Sequence, residues 1–230
     1  MKTLFISSVL LLFLLAFSCK SRSKEKTLSI EEILQGSLEA VAPAITRDSL
    51  QTIISVANCI SPKGDYTTEV HTAKGGYQFF RQVYSFKPDI FEACLLNDST
   101  GYEGTDTVIL SEGSVEMIRG HAFHAILLEL PDRFHDFTRL DNYSLRAKDR
   151  LGNTCTLYFD KISKRLNRLV ITNPVNKEES INIAYSKWRN SGSFLLPFEV
   201  TISQGGKNFI FRFSSIQINS PGFRRRLLKK

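Results

Sequence analysis

The run FIFRFSSIQI, residues 209–218, is the last and longest of five strand-length apolar runs that follow one another in the C-terminal half of the chain. Phe209, Phe211 and Phe213 stand two residues apart, so their rings share one face of an extended strand, because side chains alternate between the faces of a strand. A glycine pair at 205–206 precedes the run, which is typical of a tight hairpin turn. This stretch predicts an antiparallel meander with an aromatic face.

The same pattern continues upstream. The other runs of the C-terminal half are residues 155–159, 166–172, 181–185 and 195–202. The N-terminal half has runs at 50–61, 66–73, 77–86 and 90–96, and a short strand is predicted at 107–110. Because glycine and proline turns separate these runs at regular spacing, they predict a second antiparallel meander in the same domain.

Two helices are predicted to cover this sheet. The first begins after Ser29, which can form a capping box with Glu32, and ends near Ala42, where a proline follows. The second is predicted as one continuous helix over 115–130, capped by Ser114. Its apolar stripe must be buried against the sheet and consists of Met117, Phe123, Ile126, Leu127 and Leu130. The prediction is an α+β fold in which helices cover an antiparallel β-sheet.

The first 18 residues have the layout of a secretory signal peptide, with a basic start, an apolar middle and a small-residue exit. The apolar run is shorter than the roughly 20 residues that a membrane-spanning helix needs. The exit, LAFSC at 15–19, resembles a bacterial lipobox, which predicts cleavage before Cys19 and lipidation of its sulfur. Ala16 and Ser18 also suit an ordinary signal peptidase, which would leave Cys19 unmodified. We favour the lipidated Cys19.

The residues after Cys19 predict where the protein resides. Lys20 stands where lipoproteins retained in the inner membrane carry an aspartate, so we expect a lipid anchor on the periplasmic face of the outer membrane. The next residues are polar and charged, which is typical of a flexible tether. The predicted organisation is a signal peptide at 1–18, the lipidated cysteine and tether at 19–27, one domain at 28–219 and a basic tail at 220–230.

The formal net charge of +7 is concentrated at the two ends of the mature chain. Five of the last seven residues are Arg or Lys, and the body between the ends is nearly neutral. A nucleic-acid-binding protein would carry a basic stripe on its folded surface, so no nucleic-acid partner is expected. Basic ends suit either plain solvation or contact with anionic lipid headgroups.

The sequence contains no motif for catalysis, a metal or a cofactor. His121, His124 and His135 are close in sequence, but no HExxH or other recognised ligand set accompanies them. A GxSxG elbow, a phosphate loop and a dinucleotide fingerprint are also missing. We therefore predict a protein that is not an enzyme and that needs no cofactor. Three cysteines are predicted to be buried thiols, with one disulfide at most: Cys59, Cys94 and Cys155.

Several local motifs resemble the periplasmic lipoprotein-carrier superfamily, which includes the LolA and LolB-like outer-membrane lipoprotein-sorting proteins and RseB-like relatives. The most specific is a strand, an Asp turn and a strand, which begins with LYFDK at 157–161. An aromatic segment at 185–188, a glycine and a proline within 192–197, and Asn219 after the last strand also match. The resemblance implies an unclosed half barrel of about eleven strands, with helices over its concave face.

The resemblance also implies a function. The expected ligand is a lipid or the acyl chains of a lipoprotein, held in an apolar hollow, with the helix over 115–130 as its lid and Arg81 as a candidate for the arginine that keeps it shut. We expect Phe211→Glu to abolish lipid uptake in a protein that still folds. The candidate lining residues are Phe209, Phe211, Phe213, Met117, Phe123 and Ile126.

Two other functions remain open. The first is a protein-interaction or envelope-sensing module with a periplasmic protein partner, in which the protein's own side chains fill the hollow. The second is an enzyme, for instance a hydrolase, which would need polar groups that converge inside the hollow.

Overall fold

The computed structural model describes residues 26–86, 90–97, 99–104 and 108–225. The predicted signal peptide, Cys19 and the end of the basic tail lie outside the described residues. None of the helices in the described part of the chain has the length and apolar character needed to cross a membrane.

Thirteen antiparallel strands form one sheet in the described chain, in the order β6-β5-β4-β3-β2-β1-β13-β12-β11-β10-β9-β8-β7. The strands are β1 Thr52–Ile60, β2 Tyr66–Ala73, β3 Tyr77–Tyr84, β4 Ile90–Leu95, β5 Gly101–Glu103, β6 Val108–Ile109, β7 His135–Asp141, β8 Ser144–Lys148, β9 Thr154–Phe159, β10 Leu166–Thr172, β11 Ser180–Ser191, β12 Phe194–Gln204 and β13 Lys207–Ile218. The two meanders are each complete in chain order, and β6 and β7 form opposite edges. The predicted α+β fold with an unclosed antiparallel half barrel is confirmed.

The two meanders meet where β1, the first strand, pairs with β13, the last. A β-bulge interrupts this pairing, since Val56 lies opposite Ser215 while Ala57 lies opposite Phe213. The extra residue, Ser214, reverses the alternation of side chains along β13. As a result both the three phenylalanines before the bulge and Ile216 after it contribute to the main core.

Five helices are described: α1 Ile30–Val41, α2 Ala44–Asp48, α3 Glu112–Arg119, α4 Phe123–Leu128 and α5 Leu130–Arg133. The predicted capping box is present at the start of α1: the Glu32 N–H donates to Ser29 Oγ at 3.1 Å, and the Ser29 N–H donates to Glu32 Oε2 at 2.8 Å. Ile33, Leu34 and Val41 of this helix join the core over the concave face of the sheet.

The prediction of one helix over 115–130 is wrong, because α3, α4 and α5 replace it. Its first helix is capped by Ser111, whose Oγ accepts the Ser114 N–H at 3.2 Å, and not by Ser114. A break at 120–122 separates α3 from α4. All six residues of α4 are buried, which a straight surface helix with one apolar stripe could not achieve. The break therefore lets α4 enter the core while α3 stays at its surface.

The strand prediction was incomplete on the C-terminal side of these helices. Neither β7 nor β8 was predicted. β7 is exposed along most of its length and lacks an apolar alternation. β11 continues six residues beyond the predicted end at 185, to Ser191. The polar end of β11 pairs with β12, so its backbone hydrogen bonds, rather than apolar side chains, define it.

Candidate functional site: a hollow under helix α3

An apolar cavity of about 120 Å³ lies between α3 and the concave face of the sheet. Its floor is formed by strands β10 to β13, and Tyr66 from β2 closes one side. The apolar lining residues are Tyr66, Met117, Ile171, Pro174, Ile181, Ile183, Ile202, Phe209 and Phe211. The polar groups at its wall are few, and they are Glu116, His121 and Gln204. Such a cavity suits an apolar ligand, because an apolar guest leaves few polar groups without partners.

A second cavity of about 230 Å³ adjoins the first and opens towards charged side chains. The two share a wall that includes Glu116, Gly120 and Ile183. The second cavity, called here the rim cavity, has Ile126, Phe134, Leu169 and Ile171 on its apolar side and Arg119, Asp132, Arg133, His135, Asp149 and Arg150 on its polar side. The hollow therefore changes from apolar to charged along its length.

Several contacts hold α3 over the apolar cavity. The buried Gln78 side chain of β3 donates from Nε2 to the Ile118 carbonyl at 2.6 Å, and Arg150 Nε donates to Glu116 Oε1 at 2.9 Å. A Cβ on Gly113 would lie only 2.8 Å from the Pro174 carbonyl oxygen, so the start of α3 packs directly on the loop after β10. The helix is fixed mainly at its two ends and through Glu116.

Arg81, the candidate for the arginine that keeps the lid shut, does not contact α3. Its Nε lies 3.1 Å from Glu92 Oε1 on the neighbouring strand β4. The adjacent Phe80 belongs to the cluster that packs against α3, and alternation along β3 puts Arg81 on the opposite face. Among the described residues, two arginines bond to the helix from other elements: Arg150, in the turn between β8 and β9, and Arg133 of α5, whose Nη1 donates to the Arg119 carbonyl at 3.5 Å.

The structure places the six predicted lining residues in three surroundings. Met117, Phe209 and Phe211 line the apolar cavity, and Ile126 lines the rim cavity. Phe123 and Phe213 are packed in the core, with their ring centroids 6.3 Å apart. Sequence reasoning missed Tyr66 and the isoleucines of β10, β11 and β12. The sequence showed which side chains share a face of each strand. It did not show which strands lie under α3.

Phe211 is only 1% exposed and touches Phe123, with 5.2 Å between ring centroids. A carboxylate there would be buried without a partner, which destabilises a fold strongly. We therefore expect Phe211→Glu to destabilise the fold, so this variant would not separate a loss of uptake from a loss of folding. Ile202, which lines the same cavity and is partly exposed, is the better position for a test.

The histidines have separate structural roles. His124 of α4 is buried and hydrogen-bonds through Nε2 to the Pro197 carbonyl at 3.0 Å, while His121 Nδ1 bonds to the Met117 carbonyl at 2.9 Å. Burial lowers the pKa of His124 to about 4 and also lowers the pKa of His121. His135 is exposed beside Asp136. Among the described residues, no group of three or more His, Cys, Asp or Glu side chains could hold a metal ion.

The three cysteines of the described chain are buried free thiols. Burial raises the pKa of Cys59 to about 11 and that of Cys155 to about 12, and it also raises the pKa of Cys94. Since the thiolate is the reactive form, these side chains are inert at neutral pH. The prediction of buried thiols is confirmed.

The fold was compared with solved structures. It is similar to a LolA superfamily protein from Nitrosomonas europaea, with a TM-score of 0.57 and 10% identity over 84% of this chain and 94% of that one. The chain has a LolA-like fold. A DUF1329 family protein from Desulfovibrio piger matches with a TM-score of 0.53 and 8% identity, over 87% of this chain and 97% of that one. A putative outer membrane lipoprotein-sorting protein domain from Vibrio parahaemolyticus gives a TM-score of 0.47 and 8% identity, over 83% and 95%.

Comparisons of sequence gave no match: neither a family model nor a curated protein is similar to the chain. At identities this low, the structural similarity establishes the LolA-like fold and no residue roles.

Proposed function

We propose that this protein is a lipoprotein anchored through Cys19 to the periplasmic face of the outer membrane, where it binds lipid or the acyl chains of a lipoprotein for transfer or sorting. The observation that carries the proposal is the apolar cavity under α3, whose lining is mainly aliphatic and aromatic. The LolA-like fold and the lipobox-like sequence that ends in Cys19 support it.

The size of the cavity sets a requirement for the mechanism. A cavity of about 150 Å³ holds a ligand the size of benzene, and the apolar cavity measures about 120 Å³. A longer acyl chain therefore needs to extend into the adjoining rim cavity or to displace α3 from the sheet. Each buried methylene stabilises the complex by about 0.8 kcal/mol, so a chain of six methylenes would contribute about 5 kcal/mol.

The contacts of α3 are fewer than those of a helix buried on all sides, which favours this movement. Its fully buried side chains are Val115 and Ile118, and the hydrogen bond from Gln78 contributes about 1 kcal/mol. Glu116 and Arg150 are partly exposed, so their ion pair contributes less than about 1 kcal/mol after solvent screening. Displacement of α3 by an acyl chain, followed by its return when the chain leaves, is the proposed transfer step.

The proposal is tested by filling the cavity. The protein is purified without detergent, examined by native mass spectrometry and organic extraction, and then titrated with a fluorescent fatty acid. Ile202→Phe adds volume to the cavity wall, so we expect at least a tenfold weaker uptake. Ile45→Phe is the matched control, because Ile45 of α2 is 82% exposed and is absent from the cavity lining. Equal uptake by both variants would place the ligand elsewhere.

One observation favours a second candidate, an interaction or envelope-sensing module. Helix α4 fills its part of the concave face with Phe123, His124 and Leu127, as a module with a filled hollow would require. In this case the purified protein would show a clean apo mass and would take up no fatty acid.

A further inference from the structure

The turn between β9 and β10, residues 160–165, is hydrogen-bonded and exposes an isoleucine side chain to solvent. Ile162 is 92% exposed. The Asp160 carboxylate accepts the N–H of Ile162 at 3.1 Å and the N–H of Ser163 at 2.7 Å, and these bonds hold the pKa of Asp160 below its usual range. The turn is therefore ordered by Asp160. These hydrogen bonds do not involve the Ile162 side chain, so the turn does not require an apolar residue at this position.

Cationic side chains flank Ile162 on both sides. The ammonium groups of Lys161 and Lys164 lie 5.5 and 5.2 Å from the centroid of the Tyr143 ring, and the guanidinium of Arg165 lies 4.8 Å from that of Trp188. The turn carries one carboxylate, that of Asp160, which caps the turn. An exposed apolar side chain among cations is the pattern of a surface that binds anionic membranes.

The described chain begins beside this turn. Asn142, the neighbour of Tyr143, donates from Nδ2 to the Lys26 carbonyl at 3.0 Å and accepts the Leu28 N–H at 3.0 Å. Arg139 Nη1 donates to the Leu28 carbonyl at 2.8 Å and adds a further cation. Six residues separate Lys26 from Cys19, so a lipid on Cys19 would keep this side of the molecule within about 25 Å of the bilayer.

We propose that the 160–165 turn is a membrane-docking surface for an anionic bilayer. Ile162 enters the boundary between headgroups and acyl chains, while Lys161, Lys164 and Arg165 face the anionic headgroups. The anchor and the turn then fix the molecule at two points, which sets its orientation on the membrane. The docking rests on the Cys19 anchor of the proposed function but not on a ligand in the hollow, so it can hold or fail independently of lipid uptake.

The test uses the full chain on vesicles whose acyl chains carry bromine, which quenches indole fluorescence. The native indole is first removed by Trp188→Phe. A new indole is then introduced by Ile162→Trp or, as the matched control, by Ile45→Trp at another highly exposed isoleucine. On vesicles with about 30% phosphatidylglycerol, we expect a blue shift and strong quenching for Ile162→Trp and little change for Ile45→Trp. Because the leader and anchor are the same in both, the difference reports orientation.

The charge requirement is tested in the same system. Lys161→Glu combined with Lys164→Glu should weaken the insertion measured with Ile162→Trp by about fivefold or more for each cation, as should vesicles of phosphatidylcholine alone. Equal quenching at the two indole positions, or none for Ile162→Trp, would overturn the docking surface. If quenching is unchanged by the lysine substitutions and is the same on anionic and neutral vesicles, the role of the cations is overturned. Fatty-acid uptake should be unchanged in all these variants, which separates the result from the test of the hollow.

Discussion

Helices α3 and α4 are neighbours in sequence, but they relate to the sheet in opposite ways. In α3 only Val115 and Ile118 are fully buried, and cavities remain beneath the helix. In α4 every residue is buried, and His124 is bonded to β12. The difference shows that one segment can supply both a half-exposed cover, α3, and a fully buried plug, α4, because the break lets each helix lie at its own depth.

The largest expected effect is on the stability of the plug. Leu127→Ala in α4 removes a side chain that is 1% exposed, so we expect it to lower the free energy of unfolding by about 3 to 4 kcal/mol. Met117→Ala in α3, which is half-buried beside a cavity, should cost less than about 1.5 kcal/mol because less apolar surface is lost. Urea denaturation of both variants measures this. Equal losses would mean that α3 is as firmly packed as α4.

The next effect is the pH dependence of the free energy of unfolding, which His124 of α4 causes. The folded pKa of His124, about 4, is below its value of about 6.5 in the unfolded chain, so the unfolded chain binds more protons as the pH falls. Stability is fully present above about pH 6.5 and is lost on acidification towards pH 4, by up to about 3 kcal/mol. His121 contributes in the same direction.

The measurement is the urea midpoint between pH 7 and pH 5, a range in which few carboxylates titrate. His124→Gln keeps a side-chain N–H for the Pro197 carbonyl without a titrating group, so its midpoint should depend less on pH. A slope that is unchanged in this variant would contradict the assignment to His124.

The smallest expected effect is on the opening of the cover. Arg150→Ala removes the hydrogen bond to Glu116, so amide exchange in α3 should become about threefold to fivefold faster, which corresponds to less than about 1 kcal/mol. Exchange in α4 should not change. Arg146→Ala is the control, since Arg146 is an exposed arginine on β8. Faster exchange in both helices would show that they open together.

The sequence predicted the parts of the fold that depend on local alternation. Phe209, Phe211 and Phe213 share the concave face because a strand has a period of two, and Ser29 with Glu32 begins α1 because the capping box is local. The break at 120–122 was not predicted, because apolar residues continue on both sides of it. Burial on all sides of α4 distinguishes it from the predicted single helix with one apolar stripe.

The candidate site was predicted less well than the fold, for a similar reason. Met117 was found because it lies in the apolar stripe of the predicted helix, and Phe209 because it lies in an apolar run. The bond between Glu116 and Arg150 joins residues 34 positions apart, and neither residue has a local pattern that indicates a partner. Arg81 was chosen on resemblance, and the parity of β3 places it on the other face of the sheet.

The pairing of β1 with β13 at the centre of the sheet has a consequence for how the protein acquires its structure. Ile53 lies opposite Ile218, so this seam joins the two ends of the domain, and pairings between distant residues form slowly. Each meander can assemble from neighbouring strands, but the sheet remains in two pieces until the last strand is available. A chain exported from its N-terminus would therefore complete its fold only after nearly all of it had crossed the membrane.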